Sequence, residues 1–223
     1  MMCDEDTCWL FRTLFGIMKP RCVMDPQLRA KRQNQKRAEI LDAARKLVVR
    51  DGPDQVSLRA VAKAAKFAPA SLYEYFESKG DIFGALALRA ERRLYEAMSQ
   101  VPKDRKTPHL IRLCLAYVDF AKDTPEDFLL LFSRQTSQRQ SLDDNLPPDS
   151  IFALLVNAVS LAIPPDVNKT KRWTEETSYL FWATAHGMAM LQLTHLTHFK
   201  AAFSRVDKEG FTALFNGLGL QCA

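Results

Sequence analysis

The sequence has little glycine and few segments in which β-branched residues alternate with polar ones. Only 8 of its 223 residues are glycine, and both features argue against an extensive β-sheet. Alanine, leucine, lysine, arginine and glutamate instead recur at helical spacing, as in amphipathic helices. We therefore expect an all-α chain with enough length for one large domain or two small ones.

The cysteines are few and scattered. Cys3, Cys8, Cys22, Cys114 and Cys222 are odd in number and contain no C-x-x-C pair. This excludes a disulfide framework and a paired-cysteine metal site, so a reducing, cytoplasmic location is expected.

No segment reaches the roughly 18 uninterrupted apolar residues of a membrane span. The nearest, residues 9–18, is interrupted by Arg12 and follows acidic residues, unlike a signal peptide. We expect residues 1–27 to form an N-terminal extension. Within it, residues 1–23 are either a start-site extension or a flexible arm that packs on a partner.

The sequence also lacks a catalytic or metal-binding pattern. It contains no nucleophile elbow, phosphate-binding loop or dinucleotide fingerprint. His195 and His198 are three residues apart, but His186 is nine residues before His195 and no nearby Glu or Cys completes a ligand set. No enzyme activity, metal or cofactor is predicted.

Residues 57–79 predict two short helices joined by a tight turn. The apolar residues of the first helix lie at i, i+3, i+4 and i+7, and Ser57 is suited to cap it. Pro69 suits the first turn of the second helix, which Leu72 and Phe76 anchor inward. The residues left on or near its outer face are Ser71, Tyr73, Glu74 and Tyr75. A helix held in this way can lie in a DNA major groove.

The positive charge is concentrated in the half of the chain that contains these helices. Residues 1–100 carry 18 Lys and Arg against 13 Asp and Glu, whereas residues 101–223 carry 13 of each. Such a basic surface suits contact with a phosphate backbone. The alternatives are a solvated basic face, or an all-α interaction module whose basic face binds an acidic protein or membrane surface.

Helical periodicity and proline positions divide the rest of the chain. The predicted helices span residues 28–50, 79–100, 109–122, 126–132, 149–163, 171–203 and 208–218. The helix over 171–203 is apolar on several sides and must be buried on more than one face. Together with the final helix it could supply a two-fold interface between subunits, or simply the core of a monomer.

Two segments resemble a known family. The runs KRAEILDAARKLVVRDG and VSLRAVAKAAKFAPASLYEYFESKGDIFGAL, within residues 34–94, resemble the DNA-binding domain of the TetR family of one-component regulators. Its most specific element, L-Y-x-x-F-x-S-K, corresponds to Leu72, Tyr73, Phe76, Ser78 and Lys79. The run LFWATAHGMAMLQLTHL resembles the W-x-x-x-H-G signature of one C-terminal subgroup.

The resemblance implies an Ω-shaped homodimer. It implies a three-helix helix-turn-helix domain over residues 28–78, a connecting helix over 79–101, and a larger ligand-binding and dimerisation domain over 102–223. The last two helices would form the dimer. A small, largely apolar or aromatic effector would act through the fourth helix to release a repressor from a palindromic DNA operator.

The resemblance also implies which residues approach DNA. Arg59 would reach a base or a phosphate, and Tyr73 and Lys79 would hold phosphates. The full set of expected DNA-facing residues is Arg32, Lys36, Arg37, Ser57, Arg59, Lys66, Pro69, Ala70, Ser71, Tyr73, Tyr75 and Lys79. Two positions depart from the family pattern: Lys66 stands where glycine is usual, and Ala68 cannot cap the second helix with a side-chain oxygen.

For the effector, the sequence offers aromatic walls and polar groups on predicted C-terminal helices. The expected contacts are Tyr117, Phe120, Trp182, His186 and Gln192. The alternative is that these side chains form only the packed core.

Overall fold

The computed structural model describes residues 25–102, 106–132, 147 and 149–221. These residues form α-helices and one short 3₁₀ turn, Pro53–Gln55, with no strand among them. The helices are α1 (Pro26–Asp51), α2 (Leu58–Ala64), α3 (Pro69–Leu72), α4 (Lys79–Ser99), α5 (His109–Asp123), α6 (Pro125–Phe132), α7 (Ile151–Ala162), α8 (Lys171–Thr194) and α9 (Phe203–Gly217). The all-α prediction is confirmed. The predictions for residues 1–24 lie outside the described residues.

The chain divides into two units at a point inside α1, between Glu39 and Ile40. In the first unit, the described residues 25–39 are exposed except for Arg37, which is half-buried. The apolar stripe of α1 begins at Ile40 and continues to Val48. This change follows the sequence, because the residues before Ile40 are mostly polar or charged.

In the second unit, the end of α1 packs with α2, α3 and the start of α4 into a first hydrophobic core. We call it the N-terminal core. Its buried members are Ile40, Leu41, Ala44, Leu47, Val48, Val56, Val61, Ala62, Leu72, Phe76, Ile82, Leu86 and Leu130. Ser78 begins α4 with a capping box, since its hydroxyl accepts the Asp81 N–H and the Asp81 carboxylate accepts the Ser78 N–H.

The second hydrophobic core, the C-terminal core, lies among α4 to α9. Helix α8 packs on α5 and α7, and α9 packs on α5 and α8. Its largest fully buried side chains are Tyr117, Phe128, Phe181 and Phe211. None of the helices in the described ranges is long and apolar enough to span a membrane.

Helix α6 contributes to both cores. Phe128 is fully buried in the C-terminal core, whereas Leu130 is buried in the N-terminal core. Residues two apart on a helix point in clearly different directions. This short helix therefore carries a side chain into each core.

Two predicted helix boundaries in the C-terminal region are wrong. Helix α8 ends at Thr194 instead of continuing to residue 203, and α9 begins at Phe203 instead of residue 208. Residues 197–202 are all exposed, so no apolar stripe holds them as a helix. The earlier start of α9 brings Asp207 into the helix, where it is buried.

Candidate nucleic-acid interface and effector site

The turn between α2 and α3 has the hydrogen bonds of a Schellman motif. The Lys66 N–H donates to the Lys63 carbonyl oxygen at 3.2 Å, and the Phe67 N–H donates to the Ala62 carbonyl oxygen at 2.9 Å. Lys66 therefore occupies the position that favours glycine. Its φ is 60°, and it is the only non-glycine residue with a positive φ in the described ranges. Lys66 therefore has the backbone conformation expected of the glycine that is usual at this position, at a cost of roughly 1–2 kcal/mol. Its expected contact with DNA stays a prediction.

The start of α3 is secured by backbone conformation without a side-chain cap. Ala68 is extended, with no side-chain cap hydrogen bond, and Pro69 occupies the first helical turn. Regular α-helix ends at Leu72, but i to i−3 hydrogen bonds continue through Tyr75. Residues 69–75, which we call the reading segment, thus form one α-helical turn prolonged by 3₁₀-type geometry.

Two buried residues orient this segment. Leu72 and Phe76 are buried in the N-terminal core, and Tyr73, between them, is 58% exposed. The sequence placed Tyr75 on or near the outer face of the helix, but its ring does not point freely outward. It is half-buried, and its ring packs edge-on against Phe67 with centroids 5.8 Å apart.

A cavity of about 430 Å³ lies where the beginning of α2 meets α3. It is lined by Leu58, Arg59, Pro69, Ala70 and Tyr73. Four of these residues are in the predicted DNA-facing set. The structure therefore brings a guanidinium group, a phenol and two small apolar groups to one concave surface.

The other predicted DNA-facing residues have varied surroundings. The Ser57 hydroxyl accepts the Ala60 N–H at 3.2 Å, so its predicted capping role is confirmed. The Lys79 ammonium group lies 3.4 Å from the Asp54 carbonyl oxygen.

The remaining predicted DNA-facing residues differ in their exposure to solvent. Ser71 is half-buried and Lys66 is exposed. In the first unit, Arg32 and Lys36 are exposed and Arg37 is half-buried.

Three of the five predicted effector residues form a hydrogen-bonded group. The Trp182 indole N–H donates to the Tyr117 hydroxyl oxygen at 3.3 Å, and that hydroxyl lies 3.1 Å from His186 Nδ1. Tyr117 comes from α5, and Trp182 and His186 are four apart on α8. Burial raises the pKa of Tyr117 above its usual value and lowers the pKa of His186.

Two phenylalanines of α6 complete the surroundings of His186. The ring centroids of Phe132 and Phe128 lie 4.4 Å and 5.8 Å from that of the imidazole. Phe128 also packs edge-on against Tyr117 at 5.3 Å. We call Tyr117, Phe128, Phe132, Trp182 and His186 the aromatic cluster.

The remaining two predicted effector residues are engaged elsewhere. Phe120 is buried in the C-terminal core. The Gln192 amide nitrogen lies 3.1 Å from both carboxylate oxygens of Asp207, which also lies 3.6 Å from the Lys122 ammonium group. Gln192 therefore belongs to a polar contact among α5, α8 and α9.

Both halves of the chain match models of one protein family. Residues 40–86 match the model of bacterial regulatory proteins of the tetR family. Residues 110–216 match a tetracyclin repressor-like C-terminal domain. The chain belongs to the TetR family of transcriptional regulators. It is accordingly a DNA-binding helix-turn-helix regulator and not an enzyme.

Individual relatives agree with the TetR assignment. The chain is 34% identical over 87 residues to an uncharacterized HTH-type transcriptional regulator, YobS, of Bacillus subtilis. That match covers 39% of this chain and 46% of YobS, about half the length of the curated relative.

Solved structures share the fold. A protein of unknown function from Rhodococcus sp. RHA1 has a TM-score of 0.67 at 21% identity, covering 90% of this chain and 98% of that one. A TetR-family transcriptional regulator from Streptomyces coelicolor has a TM-score of 0.56 at 20% identity, covering 82% and 81%.

One polar contact of this TetR-family chain was not predicted. Asp127 in α6 is only 3% exposed. The Arg45 guanidinium group of α1 donates to its two carboxylate oxygens at 2.6 Å and 3.1 Å, and Arg93 of α4 also donates to it. The hydrogen bond to Asp127 raises the pKa of Arg45. The one feature of the sequence that could have indicated this contact is the position of Asp127 directly before the apolar residues of EDFLLLF.

Proposed function

We propose that this TetR-family chain is a ligand-responsive repressor. As a homodimer it would bind a palindromic DNA operator, and a small, largely apolar or aromatic effector would release it. The observation that carries the DNA-binding part is the concave surface formed by Arg59, Pro69, Ala70 and Tyr73 over two buried anchors. The aromatic cluster and α6 support the effector part.

The concave surface offers the chemistry that base reading requires. Arg59 can donate two hydrogen bonds to a guanine edge, and Ala70 and Pro69 can contact a thymine methyl group. Tyr73 is exposed beside them and can donate to a phosphate. Ser57, which caps α2, directly precedes Leu58 in sequence, a residue that lines this surface.

Further proposed contacts add affinity without specifying sequence. Lys66 is exposed on the turn, and Lys79 begins α4, so both are proposed to contact phosphates. Ser71 and Tyr75 are proposed to contribute at the edge of the reading segment. In the first unit, Arg32, Lys36 and Arg37 supply positive charge for the phosphate backbone. The residues proposed to contact DNA are thus the same ones that the sequence predicted.

Exposed apolar residues on α8 and α9 support a homodimer. Tyr179, Leu180 and Leu191 on α8, and Val206 on α9, are each about half exposed. Leu180, Ala183, Gly187 and Leu191 repeat at intervals of three or four, so they follow one side of α8. Small residues there permit the close approach of a second copy of the same surface, as a two-fold interface requires.

Helix α6 supports a route from effector to DNA-binding helices. Phe128 and Phe132 contact His186, whereas Leu130 and Asp127 contact the N-terminal core and Arg45. A ligand that displaces the two phenylalanine rings would move the same short helix that holds α1 and α4. The fourth helix remains part of this route through Arg93.

The DNA-binding part can be tested with sequence-selected DNA. A palindromic site is selected from a random library and labelled, and its affinity is measured by fluorescence anisotropy. Tyr73→Ala and Arg59→Ala are each expected to weaken binding about 5- to 100-fold. Arg172→Ala removes the same charge from the C-terminal region, where the guanidinium group is well exposed, and should change affinity little.

Two outcomes would contradict this assignment. One is an Arg59→Ala protein that binds the selected DNA as tightly as the wild type. The other is wild-type binding to anionic lipid vesicles that exceeds binding to the selected site, which would favour the alternative interaction module.

The dimer and the induction mechanism have separate tests. Leu191→Arg is expected to yield monomers in light scattering. Leu88 on α4 is more exposed than Leu191, and Leu88→Arg should leave dimers intact. For induction, a hydrophobic compound that raises the melting temperature should also lower operator affinity. Stabilisation by such compounds without any change in operator affinity would contradict the induction mechanism.

A further inference from the structure

The hydrogen bonds in the aromatic cluster run in one direction. An indole N–H can only donate, so the Tyr117 hydroxyl oxygen accepts from Trp182. The hydroxyl hydrogen of Tyr117 then needs an acceptor, because this side chain is almost fully buried. Within the described part of the chain, the one remaining partner is His186 Nδ1, at 3.1 Å.

This direction determines the tautomer of His186. If Nδ1 carried a hydrogen, the Tyr117 hydroxyl would be left without an acceptor in a buried environment, which is costly. Nδ1 is therefore unprotonated, and the neutral ring carries its hydrogen on Nε2. Burial, which lowers the pKa of His186, favours the same neutral form.

The Nε2 side of the ring has no protein partner among the described residues. Nε2 forms no hydrogen bond with a described residue, and this atom is not fully buried. His186 is half-buried, and the neighbouring Phe132 ring is 41% exposed. His186 therefore has an N–H donor that is available to a ligand beside the exposed Phe132 ring.

We infer that His186 Nε2–H donates a hydrogen bond to a carbonyl oxygen of an uncharged aromatic effector, and so selects against cationic amines. The exposed ring of Phe132 would contact the apolar part of such a molecule. A protonated amine offers only donors and cannot accept this hydrogen bond. The inference rests on the proposed effector site and names the chemistry that this site recognises.

The tautomer is tested first, without any ligand. The ring nitrogens of ¹⁵N-histidine-labelled protein are observed by NMR at pH 7.5, and His186 is assigned with His186→Asn. We expect a bare Nδ1 and a protonated Nε2 in the wild type, with both tautomers populated in Tyr117→Phe. A protonated Nδ1 in the wild type would overturn the inference and leave the proposed repressor function untouched.

The ligand class is tested with three molecules of nearly the same shape. Acetophenone has a carbonyl oxygen, α-methylstyrene has a methylene group in its place, and 1-phenylethylamine is cationic at neutral pH. Dissociation constants for the full-length protein are measured by calorimetry and checked by thermal shift. We expect acetophenone to bind roughly threefold to tenfold tighter than α-methylstyrene, and the amine to bind most weakly.

Two substitutions separate the ring nitrogens. Asparagine can accept from Tyr117 at the position of Nδ1 but does not reach the position of Nε2, whereas glutamine reaches the position of Nε2. His186→Asn should therefore abolish the preference for acetophenone, and His186→Gln should retain part of it. Equal binding of acetophenone and α-methylstyrene to the wild type would overturn the inferred hydrogen bond from His186 but would not contradict the proposed effector site. Failure of all three molecules to bind would overturn the proposed effector site itself.

Discussion

The helix-turn-helix segment and the aromatic cluster are built in opposite ways. In residues 57–79 the structure follows from neighbours in sequence: a serine cap, a Schellman turn at Lys66 and a proline at the start of α3. In the aromatic cluster, Tyr117 contacts Trp182 and His186, which are 65 and 69 residues away in sequence. Local chemistry shapes the first region, and packing between helices shapes the second.

The two regions also use their polar groups differently. Tyr73 is exposed, so its hydroxyl can form hydrogen bonds with water or DNA. Tyr117 is buried, and its hydroxyl must find partners inside the protein. The comparison teaches that an exposed tyrosine hydroxyl stays available to an outside partner, whereas a buried one is bound to partners within the protein. Four predictions test this contrast.

The largest effect is expected at Asp127 on α6, the helix that contributes a side chain to each hydrophobic core. Asp127→Ala leaves Arg45 and Arg93 without the buried carboxylate that they share. We expect the free energy of unfolding to fall by about 2–4 kcal/mol, below the full cost of breaking a buried pair because both arginines are partly exposed. Urea denaturation followed by circular dichroism measures this change.

A matched control is Asp119→Ala on α5. Asp119 is exposed, and its one ion pair within the described residues is with Lys122 at 3.3 Å, so its loss should cost no more than about 0.5 kcal/mol. Equal destabilisation by the two substitutions would show that the buried contact of Asp127 with Arg45 and Arg93 is worth no more than an exposed ion pair.

The next effect compares the two tyrosines directly. Tyr117→Phe removes the hydroxyl that Trp182 and His186 share, and should lower the free energy of unfolding by about 1–2 kcal/mol. Tyr73→Phe removes an exposed hydroxyl and should change it by less than about 0.5 kcal/mol. The same urea titration measures both. A larger loss for Tyr73→Phe would reverse the comparison.

The third prediction tests the local chemistry of the turn. Lys66→Gly relieves the positive φ of 60° and should stabilise the protein by about 1 kcal/mol, even after the added freedom of the unfolded chain is counted. Lys63→Gly, three residues earlier in α2, should instead destabilise it by about 1 kcal/mol. Thermal unfolding measures whether each substitution raises or lowers the stability of the protein.

Lys66→Gly has a second readout on DNA. If Lys66 contacts a phosphate, the slope of log affinity against log salt concentration should decrease in magnitude by about 1. An unchanged slope would assign Lys66 no phosphate contact, whatever its effect on stability.

The smallest effect concerns pH and the aromatic cluster. Burial lowers the pKa of His186 in the folded state, so the unfolded chain binds more protons as pH falls. The stabilising contribution is complete above the unfolded pKa of about 6.5, and it is lost as pH falls through the folded pKa. The free energy of unfolding of the wild type should therefore decline with falling pH more steeply than that of His186→Asn, between pH 7.5 and 5. Parallel curves would contradict this expectation.

Sequence patterns predicted the features that depend on nearby residues. The positive φ of Lys66, the missing cap at Ala68 and the cap at Ser57 were predicted because each involves hydrogen bonds within a few residues. Patterns failed where distant residues decide. The predicted end of α8 at residue 203 was wrong, because the helix ends at Thr194. The contact of Asp127 was missed because its arginine partners lie 82 and 34 residues away.

By itself, the sequence determined the helical class, the helix-turn-helix signal and the TetR-family resemblance, because periodicity, caps and turn residues act over short distances. Only the tertiary structure decided that Tyr117, Trp182 and His186 share hydrogen bonds, that Gln192 bonds to Asp207, and that α6 contributes to both cores. The physical reason is that buried polar groups must find partners, and which partners are available depends on how separate helices pack.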